Sequence, residues 1–309
     1  MPVKDKVVFI VGPTSIGKTH LAVKLAKAIR GEVISCDSMQ VYKRMPVLSQ
    51  APSAVQANGT PYRLIKFLSP SKEFSAAIFR KKAVFLIDDI LNRGKVPIIA
   101  GGTGLYVKAL IDGLFPSPKA DMNFRKKMYN YASRMGSAKL HDKLKKIDAQ
   151  SACLIHPNDT RRIVRALELW HSTGRTMTEL KTQTSGIADK YDIKIFGITA
   201  PREKIYSNVN NRVEKMFREG LVSEVKRLSK VKLSKTAKAV LGFKEILGFL
   251  KDEYDVETAQ ELMKQNTRRF AKRQLTWFRA DKRIRWLDVT RMGEREIIKK
   301  IASALRASQ

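Results

Sequence analysis

The residues best suited to chemistry lie near the start of the chain. Gly12-Pro-Thr-Ser-Ile-Gly-Lys-Thr19 has the spacing G-x-x-x-x-G-K-[ST]. Glycines let a backbone wrap tightly, so that successive N–H groups point inward at phosphate oxygens. Lys18 adds a positive point charge, and the Thr19 hydroxyl suits orientation of magnesium or its water. Gly12, Pro13, Thr14, Ser15, Ile16, Gly17, Lys18 and Thr19 are therefore the expected binding residues for a di- or triphosphate. A glycine turn that binds nothing is the alternative, but it leaves Lys18 and Thr19 without a packing use. The loop does not name a reaction.

Asp37-Ser-Met-Gln-Val-Tyr42 is the second candidate. A carboxylate there can hold magnesium or take a proton as general base. Taken alone, Asp37 suits equally well a cap on its own following turn. The third is Gly101-Gly-Thr-Gly-Leu-Tyr106, which follows an apolar run that ends without an acid. ATP-hydrolysing proteins usually place a magnesium-holding aspartate at that point. Gly101 and Gly102 beside Thr103 read instead as room for close approach of a bulky ligand, or as a plain tight turn.

These segments need a frame. Val7–Val11, Glu32–Cys36 and Val96–Ala100 are short apolar strands, and Thr19–Ile29 is a helix with Leu21, Leu25 and Ala28 on one face. Strands separated by helices imply a parallel sheet covered on both sides, with ligands at the carboxyl ends of its strands. Val84–Asp89 resembles a strand ending in two acids. However, Phe79, Ala83, Leu86 and Ile90 recur at helical spacing, and the strand at Val96 follows too soon for a parallel crossover. Ser75–Arg93 is read as a helix with those acids on its solvated face. From Asp112 the pattern turns helical: Met122–Arg134, Ala138–Lys146, and Thr160–Ser172, the last capped by Asp159 with Ile163, Leu167 and Trp170 inward. The core resumes with strand Ile193–Ile198, followed by helices Glu203–Glu219, Val222–Leu228, a stretch around Gly242–Leu250, and Thr258–Arg279. The expected fold is α/β, a P-loop parallel-sheet core (1–111 and 191–309) carrying a helical insertion domain (112–190).

The chain has 309 residues, 43% of them hydrophobic, which excludes wholesale disorder. Lysine and arginine number 60 against 29 acids, a net charge of +31, which makes a polyanion such as nucleic acid the leading partner. Cys36 and Cys153 form neither a disulfide framework nor a CxxC pair, and a reducing cytoplasm fits. Cys36 is expected to be buried. His20, His141, His156 and His171 lack metal-ligand spacing. No apolar run approaches a membrane span of roughly 20 residues, and the apolar start is too short for a signal peptide.

Seven stretches in order resemble one family, the tRNA dimethylallyltransferases, also called tRNA isopentenyltransferases. They are Gly12–Thr19, Asp37–Tyr42, Arg93–Tyr106, Asp159-Thr-Arg-Arg-Ile-Val-Arg-Ala-Leu-Glu168, Arg212-Val-Glu-Lys-Met216 with Gly220-Leu221, Leu241-Gly-Phe-Lys-Glu245, and Ala271-Lys-Arg-Gln-Leu-Thr-Trp-Phe278. The chain departs from the family pattern at Ser15-Ile16, at Tyr62-Arg63 and at Lys43–Leu48.

The resemblance implies transfer of a dimethylallyl group from dimethylallyl diphosphate to N6 of the adenosine 3′ of a tRNA anticodon, with release of pyrophosphate and with Mg2+ as cofactor. It implies Asp37 as base, and Lys18, Thr103 and Arg212 around the diphosphate. Arg212 as a merely solvated helix charge is the alternative. The tRNA anticodon stem-loop would meet Asp37, Ser38, Met39, Gln40, Thr103, Arg125, Arg161, Arg162, Ile163, Val164, Arg165, Ala239, Val240, Leu241, Gly242, Phe243 and Lys244. Further basic residues, Arg268, Arg269, Lys272, Arg273, Arg279, Lys282, Arg283 and Arg285, are read as phosphate contacts, with Trp277 and Phe278 among them in the core. A monomer is expected. Competing readings are a small-molecule P-loop kinase, a prenyltransferase acting on free adenine nucleotides, and a catalytically dead RNA-binding protein.

Overall fold

The structure, a computed structural model, describes residues 4–115 and 118–306. The chain divides into two compact units, Met1–Ile111 with Lys190–Gln309, and Asp112–Asp189.

The first unit is built on six strands: β1 (Lys6–Val11), β2 (Gly31–Ser35), β3 (Tyr62–Arg63), β4 (Val96–Gly101), β5 (Asp192–Thr199) and β6 (Arg285–Asp288). All neighbours pair in parallel, in the order β3-β2-β4-β1-β5-β6. The α/β class expected from strand–helix alternation is thus the observed one. The inner strands are apolar on both faces because helices cover both sides. Val8, Ile10, Ile98 and Phe196 pack with Leu21 and Leu25 of helix Lys18–Ala28, and with Ile297 and Ile301 of the last helix, Glu294–Arg306.

Residues 76–92 are helical, with the Ser75 hydroxyl accepting the Ile78 amide at the N-terminus. Phe79, Ala83, Ile87 and Ile90 are its buried face. The acids are less solvated than expected: Asp88 accepts from Lys190 at 2.7 Å and from the Tyr191 hydroxyl. Three elements differ from expectation. β3 has too few residues to show a period, and neither β6 nor the final helix is marked by a sequence pattern after Arg279. Trp277 is 39% exposed rather than in the core, whereas Phe278 and Cys36 are buried as expected.

The second unit packs helices Met122–Met135, Ser137–Ile147 and Thr160–Thr173 around Leu140, Leu144, Ile163, Val164 and Leu167. The Asp159 side chain caps the third helix through the Arg162 amide, and Gly174 ends it in the left-handed conformation. Trp170, expected inward, is 43% exposed because the buried stripe runs through Ala166, Leu167 and Leu169.

One buried acid fixes the end of the sheet opposite the Asp37 and Gly101–Thr103 segments. Glu32 of β2 is 1% exposed and accepts from Arg63 of β3, from Arg93 at the end of helix Ala76–Asn92, and from Lys95 before β4. The Arg93 hydrogen bond, and after it those of Lys95 and Arg63, overcome burial and hold the carboxyl down at about 2. A depressed carboxyl pKa contributes stability above its unfolded value, lost as pH falls through the folded value. Glu32→Gln should therefore cost about 2 kcal/mol near neutral pH. In urea unfolding, that deficit should shrink as pH falls from the ordinary 4.5 toward 2. A deficit that stayed constant over this range would assign it to packing instead of charge.

Candidate active site

β1 delivers the chain into Gly12–Gly17, and helix Lys18–Ala28 starts at once behind it. Gly17 is the N-cap at φ 89, and no side chain caps the first turn. The first amides of the helix are thus left for an anion. Ser15 is also left-handed at φ 62, and its carbonyl is held by Asn208 Nδ2 at 3.1 Å. Ile16 turns into the core. Lys18 Nζ donates to the Pro13 carbonyl at 2.6 Å, so its ammonium lies over the loop it anchors. Arg212, from helix Arg202–Arg218, donates to Thr14 Oγ1 at 2.9 Å.

Residues 14–19 and Arg212 line a cavity of about 320 Å³ that also includes Asp37, Gly101 and Gly102, whereas Gly12 and Pro13 are not among its lining residues. Asp37 is its only carboxylate among the described residues. Burial lowers the Lys18 ammonium to about 8, with attraction from Asp37 opposing and repulsion from Arg212 assisting. Burial likewise lowers the Arg212 guanidinium, against the pull of Asp37. Two cations therefore share one partly dry space with a single acid, which is a favourable place for a polyanion.

Asp37 follows β2 at the carboxyl end of the sheet. Its Oδ1 accepts the Met39 amide at 2.8 Å and the Gln40 amide at 3.4 Å. The turn-capping and functional readings are therefore compatible: one oxygen holds the turn, and Asp37 still lines the cavity. Thr103 Oγ1 accepts the Ser38 amide at 3.1 Å, while its own amide donates to Cys36 at 3.2 Å. The Thr103 hydroxyl keeps its proton available for an acceptor.

At Gly101 and Gly102 the side of the backbone where a Cβ would stand is filled by the protein itself, while both residues line the cavity. A Cβ on Gly101 would lie 2.1 Å from the Cys36 carbonyl oxygen, and one on Gly102 would lie 2.2 Å from Gln274 Nε2. Gly104 is similarly covered by the Trp277 indole.

The cavity includes residues that sequence reasoning did not place there: Tyr62, Gln50, Gln56, Phe270 and Gln274. Tyr62 hydrogen-bonds Thr19, and burial drives its phenol pKa up. No local pattern marks these positions, because each arrives from a distant segment. The nearest signal was the family-like stretch Ala271–Phe278, which contains Gln274.

The residues expected to meet tRNA fall into distinct groups. Arg161 and Arg162 are exposed, with Arg162 paired to Asp159. Ile163 and Val164 are core residues of the helical unit, so their side chains are withdrawn from any outward surface. Arg125 and Arg165 are partly exposed and carry an ion pair. Both pair with Glu168, which is fully buried and in addition accepts the Asp121 amide. Ala239 and Lys244 are exposed and Leu241 is half-buried, whereas Val240, Gly242 and Phe243 are buried. Ser38 and Met39 are half-buried. The Gln40 amide is buried, accepting from Ser35 at 2.8 Å, and lines the cavity described above. Along helix Val256–Arg279, Arg269, Lys272, Arg273 and Arg279 face solvent.

A bound diphosphate stabilises the Lys18 ammonium, so binding above about pH 8 must take up a proton. Affinity for a diphosphate monoester, measured calorimetrically, should be level below that pH and fall about tenfold per unit above it. Lys18→Met should bind weakly with no such slope; the same slope in that variant would place the titration elsewhere. The ligand-free protein should show the opposite sense. A depressed lysine pKa means that stability rises as pH goes from about 8 to 10.5.

A family model described as "IPP transferase" matches residues 40–281. A tRNA dimethylallyltransferase from Halothermothrix orenii is 43% identical over 308 residues, covering 99% of this chain and 94% of its own. The crystal structure of a full-length tRNA isopentenylpyrophosphate transferase from Bacillus halodurans aligns with a TM-score of 0.73 at 39% identity, over 99% of this chain and 98% of that one. A eukaryotic dimethylallyltransferase acting on tRNA aligns with a TM-score of 0.76 at 30% identity, over 92% of this chain and 74% of that one. With its glycine cradle, its paired cations and its single facing acid, this chain belongs to the IPP transferase family, among the tRNA dimethylallyltransferases.

Proposed function

We propose that this protein transfers a dimethylallyl group from dimethylallyl diphosphate to N6 of the adenosine 3′ of a tRNA anticodon. The observation that carries the reading is the cavity itself, in which Lys18, Arg212 and an uncapped helix N-terminus face one carboxylate, Asp37. The cationic side suits a diphosphate, and the acidic side suits a proton that must leave a nitrogen.

The reaction has two difficulties. The adenine amino group is a poor nucleophile because its lone pair is delocalised into the ring. Diphosphate is a poor leaving group while its charge is unscreened. As the N6–C bond forms, Asp37 accepts the N6 proton. As the C–O bond breaks, the electron pair leaves with pyrophosphate, against Lys18, Arg212 and the loop amides. The Thr103 hydroxyl donates to a phosphate or bridging oxygen.

Magnesium fits as a partner of the diphosphate. Thr19 lines the cavity and would supply one oxygen, the substrate the others. Among the described residues, no cluster of three or more His, Cys, Asp or Glu side chains could hold an ion by itself. When bound, the ion would neutralise charge on the leaving group.

The adenosine must leave its stack, which is less costly in a single-stranded loop. Solvent-facing arginines, including Arg161, Arg162, Arg269 and Arg273, suit the RNA backbone, so binding should weaken with salt. The proposed working form is a monomer. No described helix is long and apolar enough to cross a membrane, and the cytoplasm is where the tRNA substrate would be met.

The test incubates the protein with radiolabelled dimethylallyl diphosphate and unmodified tRNA bearing adenosine beside the anticodon. Label should enter the tRNA. Asp37→Ala should lower turnover by about 10²–10⁴-fold with only a modest loss of tRNA affinity. Equal labelling by that variant removes Asp37 as base. Consumption of ATP without labelled RNA favours the kinase reading.

A further inference from the structure

Gln274 stands on helix Val256–Arg279, is 6% exposed, and lines the cavity. Both ends of its amide are engaged. Oε1 accepts the Thr14 amide at 2.8 Å, and Nε2 donates to the Gly102 carbonyl at 2.8 Å. The amide orientation is fixed by its partners, since a backbone N–H can only donate and a carbonyl can only accept.

The two contacts lie on the two loops that frame the candidate site. Thr14 belongs to the glycine loop after β1, and Gly102 to the segment after β4. These strands are neighbours in the sheet, with Val11 beside Gly101. Their loops leave the sheet side by side, and Gln274 ties them together. Thr14 is held a second time through Oγ1 by Arg212. Gly102 adjoins Thr103, which holds Ser38 beside Asp37. One hydrogen-bonded path therefore runs from Arg212 through Thr14, Gln274 and Gly102 to Thr103 and the Asp37 turn.

We propose that Gln274 is a positioning residue that sets the spacing between the phosphate-facing loop and the side of the cavity lined by Asp37, Gly101 and Gly102. It rests on the diphosphate reading given above. Each end of the Gln274 amide engages one backbone group, one on each loop. Gln274 acts by fixing where the Thr14 peptide and the Gly102–Thr103 segment sit. Gly102 is part of the same device. With no Cβ, it admits Nε2 to a position where a side chain would stand 2.2 Å away.

Two substitutions separate positioning from plain packing. Gln274→Glu keeps the shape and can still accept from Thr14, but it has no hydrogen for the Gly102 carbonyl. Gln274→Met keeps the length without either bond. A displacement of about 1 Å between reacting groups can cost about 100-fold in rate. Both variants should therefore lose on the order of 100-fold in kcat/KM for prenyl transfer, with a raised KM for dimethylallyl diphosphate and unchanged tRNA affinity.

Gly102→Ala leaves Gln274 in place while pushing on its amide, so it should give the same KM rise and serves where a Gln274 variant folds poorly. Combining Gly102→Ala with Gln274→Ala should cost no more than the worse single change, because both break one link. Wild-type KM and kcat in a Gln274→Met protein that unfolds like wild type would overturn the inference. So would wild-type kinetics in Gly102→Ala. Pyrophosphate calorimetry on the wild type separates the two levels: no binding there defeats the diphosphate reading itself, whereas binding unchanged by Gln274→Met defeats only the positioning role.

Discussion

Positive charge gathered in a poorly hydrated space is the constraint around which the rest of the candidate site is arranged. Lys18 and Arg212 both lose solvation at the cavity, and each repels the other. A lone ammonium in such a place tends to give up its proton, as the lowering of Lys18 to about 8 indicates. Asp37 offsets part of the cost, but a single carboxylate does not balance two cations and the exposed amides of a helix start. A multiply charged anion would. The charges of the cavity thus sum to a net positive, and a bound anion would relieve the repulsion between its cations.

Holding those charges in place falls to the sheet. β1, β2, β4 and β5 run parallel, so their carboxyl ends bring the glycine loop, the Asp37 turn and the Gly101–Thr103 segment to one edge. At the opposite end, Glu32 ties β2, β3 and the approach to β4 with three cations. Acid–cation pairing is complete at Glu32 and deliberately lopsided at the cavity. The helical unit follows the same logic as Glu32. There Glu168 pairs with Arg125 and Arg165, so that part of the basic surplus also has a structural role.

Much of this was legible in the residues. The glycine loop, the inner strands and the helix over residues 76–92 follow from short-range rules: spacing of glycines, apolar runs and periodicity. What was not legible depends on contacts made across long separations. Gln274 meets Thr14 260 residues away, and nothing in a helical glutamine distinguishes a clamp from a solvated side chain. Arg165 reads as one of a basic triplet, yet its charge is turned onto Glu168, three residues on, by the burial of that acid. Trp170 reads as an inward aromatic, but a small rotation of the apolar stripe leaves it half outside. β6 has only Trp286 and Leu287 as apolar residues between charges, too short a run to show a strand until β5 is present to pair with it.

The proposed reaction also explains why the cations stand on one side and the acid on the other. Attack by N6 neutralises Asp37 as it takes a proton, while departure of pyrophosphate adds one unit of negative charge at the glycine loop. The sum of charge in the cavity is unchanged, but it moves from the carboxylate toward Lys18 and Arg212. Cations fixed on the receiving side interact more strongly with the transition state than with the bound substrates, which is the condition for binding energy to accelerate a reaction. That benefit requires the distance across the cavity to be set before substrate arrives, because loops free to drift would spend the electrostatic gain on reorganisation. The hydrogen bonds that fix that width run through backbone groups of Thr14, Gly102 and Ser38. The side chains nearest the chemistry therefore inherit their precision from main-chain contacts made one layer behind them.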